Sequence, residues 1–101
     1  MIQAAIHIVP HKESGWTQIH LFLKNASWDT QDSLAQKIKG LMSRPGGRKA
    51  QVTDATSLDV EVDYDVLETF LELLTDALQS EKIRVTEKKI LIEKLGGWFD
   101  V

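Results

Sequence analysis

Apolar and polar residues alternate along the first quarter of the chain. Ile2, Ala4, Ile6 and Ile8 share one parity, and Gln3, Ala5, His7 and Val9 share the other. A period of two is that of a strand with two unlike faces. Pro10 lacks the amide proton that a ladder needs and closes the run. Lys12-Glu13-Ser14-Gly15 reads as a turn. Beyond it Ile19, Leu21 and Leu23 alternate with Gln18, His20, Phe22 and Lys24. The two runs predict an antiparallel hairpin.

The period then lengthens. Asp29 is placed to cap a helix by accepting from first-turn amides. Leu34, Ala35, Ile38, Leu41 and Met42 recur at helical spacing and form one apolar stripe. The helix is expected to stop near Arg44, because Pro45 disfavours helical geometry in the residue before it. Pro45-Gly46-Gly47-Arg48-Lys49 reads as a mobile basic loop, and residues 51–56 are too polar to assign. Residues 58–64 form the clearest strand. Leu58, Val60, Val62 and Tyr64 point one way, and Asp59, Glu61 and Asp63 the other, so one face is buried and one wet. Asp65-Val66-Leu67-Glu68 has the form of a capping box. The wide stripe Val66, Leu67, Phe70, Leu71, Leu73, Leu74, Ala77 and Leu78 carries a second helix to about residue 80.

The tail reads as strand rather than helix. Ile90-Leu91-Ile92 is partly β-branched, and Lys88 and Lys89 would place cations at a helix N-terminus. Gly96-Gly97 breaks the run, and Trp98-Phe99 is expected to pack back on the core. The expected order is β-β-α-β-α-β. It predicts an α+β fold: a two-layer sandwich with a mostly antiparallel sheet and two helices on one face. At 101 residues the chain has room for one domain, residues 1–101.

Composition adds three constraints. Apolar residues are 43% and charged residues 27%, as in folded globular chains. The absence of cysteine removes disulfides, thiolate zinc sites and cysteine nucleophiles, and makes the cytoplasm the expected compartment. No run approaches the 18 apolar residues of a membrane span, and the N-terminus lacks the basic and apolar regions of a signal peptide. The net charge of −3 is unevenly spread: residues 1–50 hold seven Lys/Arg against three Asp/Glu, and residues 51–101 hold five against twelve. Such asymmetry suits a face made for a charged partner.

Four groups are candidates for chemistry. If the first turn centres on Glu13-Ser14, His7 lies opposite His20 on the outward face, with His11 nearby. That pair and His11 have metal-ligand chemistry, but no carboxylate is placed by sequence to complete a shell, so no metal is assigned. Asp59, Glu61 and Asp63 form an acidic stripe with neighbours about 6.6 Å apart. It suits the docking of a cationic partner, whose approach it would steer. Arg44, Arg48 and Lys49, with Lys37 and Lys39 behind them, form an alternative phosphate-binding segment beside two glycines. It has no Walker spacing, and a pI near 5.5 disfavours nucleic acid. Trp16, Trp28 and Trp98 each stand at the end of an element, as core plugs or as interface anchors, with Trp28 also placed as a staple beside the helix cap.

No H-E-x-x-H, G-x-S-x-G or G-x-G-x-x-G motif is present. The expected function is therefore non-enzymatic protein binding without a cofactor. The surface would be the open sheet face: Asp59, Glu61, Asp63, His7 and His20. The expected partner is a basic protein, with a small acidic immunity or antitoxin inhibitor of a nuclease toxin as the concrete form. The alternatives are phosphate or nucleic-acid binding through residues 37–49, and a subunit of a homo-oligomer that pairs through an edge strand.

Overall fold

The alternating runs become strands and the striped runs become helices in the computed structural model, which describes residues 1–101. The order is β1 (Ile2–His11), β2 (Trp16–Lys24), α1 (Trp28–Met42), β3 (Gly47–Asp54), β4 (Ser57–Asp63), α2 (Leu67–Ser80), β5 (Ile83–Ile92) and β6 (Gly97–Asp100). The strands form one sheet in the order β3-β4-β2-β1-β5-β6. All neighbours are antiparallel except β1 and β5, which are parallel because α2 intervenes before the chain returns. The architecture is α+β, with the sheet in one layer and the two helices in the other.

The parity of each strand decides which side meets the helices. Ala4, Ile6 and Ile8 of β1, Ile19, Leu21 and Leu23 of β2, and Leu58, Val60 and Val62 of β4 are buried on one face. Leu34 and Ile38 of α1 and Phe70, Leu74 and Leu78 of α2 close over them in a single apolar cluster. The opposite face is uncovered.

Two strands lie where the sequence pattern is silent or misleading. The basic segment after Pro45 is not a loop: Gly47 already pairs with Val62, and β3 runs along β4 as an edge strand. Its side chains are mostly exposed, so no hydrophobic period marks it. The two glycines serve close packing. A Cβ on Gly46, which has φ of 92°, would lie 2.3 Å from Cγ2 of Val66, and one on Gly47 would lie 2.6 Å from the Met42 carbonyl oxygen. Trp98 and Phe99 do not return to the core. They form β6 on the far edge of β5 and stay 46% and 39% exposed.

The helix starts also differ from expectation. Ser27, not Asp29, caps α1: its Oγ accepts from the Thr30 amide at 3.2 Å. Asp29 then falls in the first turn, where its charge suits the helix dipole. The capping box at Asp65 does not form. Residues Tyr64–Val66 make a single 3-10 turn, and α2 begins at Leu67 without a side-chain cap. The tail is strand throughout β5, with one extra residue, Thr86, bulged between the partners of Ala4 and Ala5.

Candidate functional site

The uncovered face is built from the residues that the core rejected by parity. The first hairpin turn is one 3-10 turn, Lys12–Ser14, closed by Gly15 at φ of 79°. That turn sets the register of β1 and β2, and His7 stands directly opposite His20. Asp59 pairs with His20 from β4, Gln51 with Asp59 from β3, Lys89 with His7 from β5, and Asp100 with Lys89 from β6. Gln51, Asp59, His20, His7, Lys89 and Asp100 thus form one straight row across all six strands.

Each histidine in this row has a carboxylate. His7 Nε2 donates to Glu87 Oε2 at 2.5 Å, and His20 Nδ1 donates to Asp59 Oδ1. Both imidazoles are half-buried. The hydrogen bond from His7 is the main reason that the Glu87 carboxyl is held below its ordinary range, with Lys89, 3.6 Å away, adding to the effect.

Aromatic rings fill the space around the row. The Phe22 ring lies 5.2 Å from that of His7, edge-on, and 6.2 Å from that of His20. Trp98 reaches across from β6 and sits 5.3 Å from His7. Trp16 stacks on His11 at 4.2 Å near the hairpin end. Phe22 is 43% exposed, so the rings form an accessible apolar centre rather than a second core.

The acidic stripe is on this face as expected, but it is not bare. Asp63 accepts from Arg48 Nε at 2.5 Å, Asp59 is engaged by His20, and Glu61 stands opposite Lys49 in the β3–β4 ladder. Of the three, Glu61 alone has no hydrogen bond or ion pair within the chain.

The basic segment does not converge on a ligand. Arg48 is turned to Asp63, and Lys37 is held by Ser80 and Glu81. Arg44 remains at the turn after α1, where its carbonyl accepts from the Gly47 amide. The three histidines likewise do not gather. His7 and His20 point to different carboxylates and His11 to Trp16, and no group of three or more His, Asp or Glu residues is placed to hold a metal ion.

Sequence reasoning missed Glu87, Lys89 and Phe22 as members of the site, and it offered Trp98 as a core plug or interface anchor without placing it on this face. Phe22 shares the parity of His20, which was enough to find it. Glu87, Lys89 and Trp98 reach the face only through the parallel pairing of β1 with β5, and no local pattern announces that pairing. No helix is long and apolar enough to cross a membrane. Comparison with protein-family models, with curated proteins and with solved structures found no significant match.

Proposed function

We propose that this chain is a non-enzymatic protein-binding domain and that the open sheet face is its working surface. The observation that carries this reading is the cluster of Phe22 and Trp98 around His7, accessible at the centre of the face and surrounded by charged side chains. An aromatic centre with a polar rim is the anatomy of a protein interface. Rigid rings bury much area at little entropic cost, which is why aromatics dominate interface energetics.

The charged groups support the same reading. Asp59, Asp63 and Glu87 already have partners in their own chain. Covering a carboxylate that keeps a hydrogen-bonded partner costs less than stripping a bare one of water. The narrower reading, an acidic inhibitor of a cationic protein such as a nuclease toxin, draws on the net charge of −3 and on Glu61. It draws less from this geometry, because Arg48 and His20 engage the other two acids of the stripe.

The test is paired capture from the native source, using the intact chain and a Phe22→Ser/Trp98→Ser variant with the same circular dichroism spectrum. A partner held by the first and lost by the second is expected. An identical set of bound proteins would refute the assignment of this face.

A further inference from the structure

We infer that the partner of the open face is a second copy of this chain, packed face to face about a two-fold axis that runs along the strands between β1 and β2. The inference rests on the reading of that face as a protein-binding surface and names its occupant.

Strand order gives the first argument. Three strands, β3, β4 and β2, lie on one side of the midline, and three, β1, β5 and β6, on the other. A two-fold axis along that midline lays β2 on β1 of the partner copy, β4 on its β5 and β3 on its β6. Each transverse row is then laid on its own reverse. An isologous interface needs such self-complementarity.

The rows have it. In the row Gln51, Asp59, His20, His7, Lys89, Asp100, the operation sets the Asp59 carboxylate of one copy over the Lys89 ammonium of the other, twice. In the row Ser57, Phe22, Ala5, Glu87, it sets the exposed Phe22 ring over Ala5, a large side chain over a small one. At the hairpin end, Trp16 is set over His11, its own cross-strand partner in the other copy. Lys49 shares a row with Glu61, Gln18 and Val9, and Leu91 pairs with Trp98 two residues beyond Lys89. Lys49 is therefore set over Trp98, a cationic side chain over an aromatic one. Stacked sheets cross at about 30° because each is twisted, and this displaces the outermost strands, about 12 Å from the axis, by about 6 Å, or about two residues' rise. Lysine side chains span that distance.

Area gives the second argument. Six strands about 4.8 Å apart and about 25 Å long present a face of about 700 Å². A stable interface of standard size buries about 800 Å² on each partner. The whole face, rather than a patch of it, is thus the right size for one copy of itself.

The test is the solution mass of the full chain, measured by sedimentation and by light scattering from micromolar to submillimolar concentration. Twice the chain mass of 11.4 kDa is expected. Phe22→Asp places two charges at the centre of the interface and is expected to leave a monomer. Lys89→Glu is expected to weaken the dimer by about tenfold or more through like charges set face to face. Combining it with Asp59→Lys restores opposite charges across the axis and is expected to recover the dimer. A dimer that survives Phe22→Asp, or that the combined charge exchange does not recover, overturns this geometry. A chain monomeric at every concentration overturns the assignment of a second copy. In that case, loss of a captured heterologous partner on Phe22→Asp would leave the face a protein-binding surface, and no such loss would sink both readings.

Discussion

His7 and Glu87, 80 positions apart in the chain, are joined by a 2.5 Å hydrogen bond from Nε2 to Oε2. The bond exists because β5 returns parallel to β1 and places Glu87 beside Ala5, one step off the row of His7. It ties the last hairpin to the first at the level of the open face.

That bond makes a pH prediction. The Glu87 carboxyl is held below the ordinary glutamate value of 4.5, chiefly by His7. Folded protein therefore binds fewer protons at this site than unfolded protein in that range, and stability falls as pH falls. The contribution is full above 4.5 and disappears as pH drops through the lowered value. Glu81, lowered by Lys37, and Asp54, lowered by Thr56, act in the same direction. Thermal unfolding followed between pH 3 and 6 should show a melting temperature that declines with acid, and Glu87→Gln should flatten that decline. An unchanged slope in the variant would separate Glu87 from acid stability.

Adjacent residues on one strand should respond very unequally to truncation. Leu21 is fully buried under the helices, whereas Phe22 faces solvent. Leu21→Ala should cost about 2–5 kcal/mol, the usual range for a large core side chain reduced to a methyl group. Phe22→Ser should cost the monomer, at concentrations too low for self-association, under about 1 kcal/mol, as at most surface positions. Urea denaturation of both variants measures the difference, and similar costs would contradict the assignment of the two faces.

The cap of α1 gives a sharper local test. Ser27→Ala should lower stability by about 1 kcal/mol, because it orphans the Thr30 amide. Asp65→Ala, at the start of α2, should change stability by less than about 0.5 kcal/mol, because no cap bond is lost there. Equal losses in denaturant titration would mean that Asp65 caps α2 after all.

One buried hydroxyl is expected to be a liability. Thr17 is fully buried between Pro10 and Val62, and its Oγ1 has no hydrogen-bond partner. A buried polar atom left unpaired costs about 1–3 kcal/mol. Thr17→Val keeps the branched shape and removes the unpaired group, so it should raise the melting temperature. A fall would show that the hydroxyl is satisfied.

Ile6 and Ile8, Leu21 and Leu23, and Val60 and Val62 declare their strands because each strand has one dry and one wet face, and parity then assigns every side chain to a side. The same rule put His7, His20, Asp59, Glu61 and Asp63 on one surface before any tertiary contact was known, and a four-residue turn was enough to set His7 against His20. β3 escaped because an exposed edge strand has no buried face to mark it. The assembly of the site lay beyond local pattern altogether. Parallel pairing of β1 with β5 is decided by how α2 packs on the sheet, not by residues near His7. That pairing, together with the β5–β6 hairpin, brings Glu87, Lys89 and Trp98 to the centre of the face. Likewise, the sequence shows three acids in alternation, but only the β3–β4 and β2–β4 ladders show that Arg48 and His20 hydrogen-bond two of them. Parity is a property of the backbone and can be read one strand at a time, whereas partnership between strands depends on the free energy of the whole packed core.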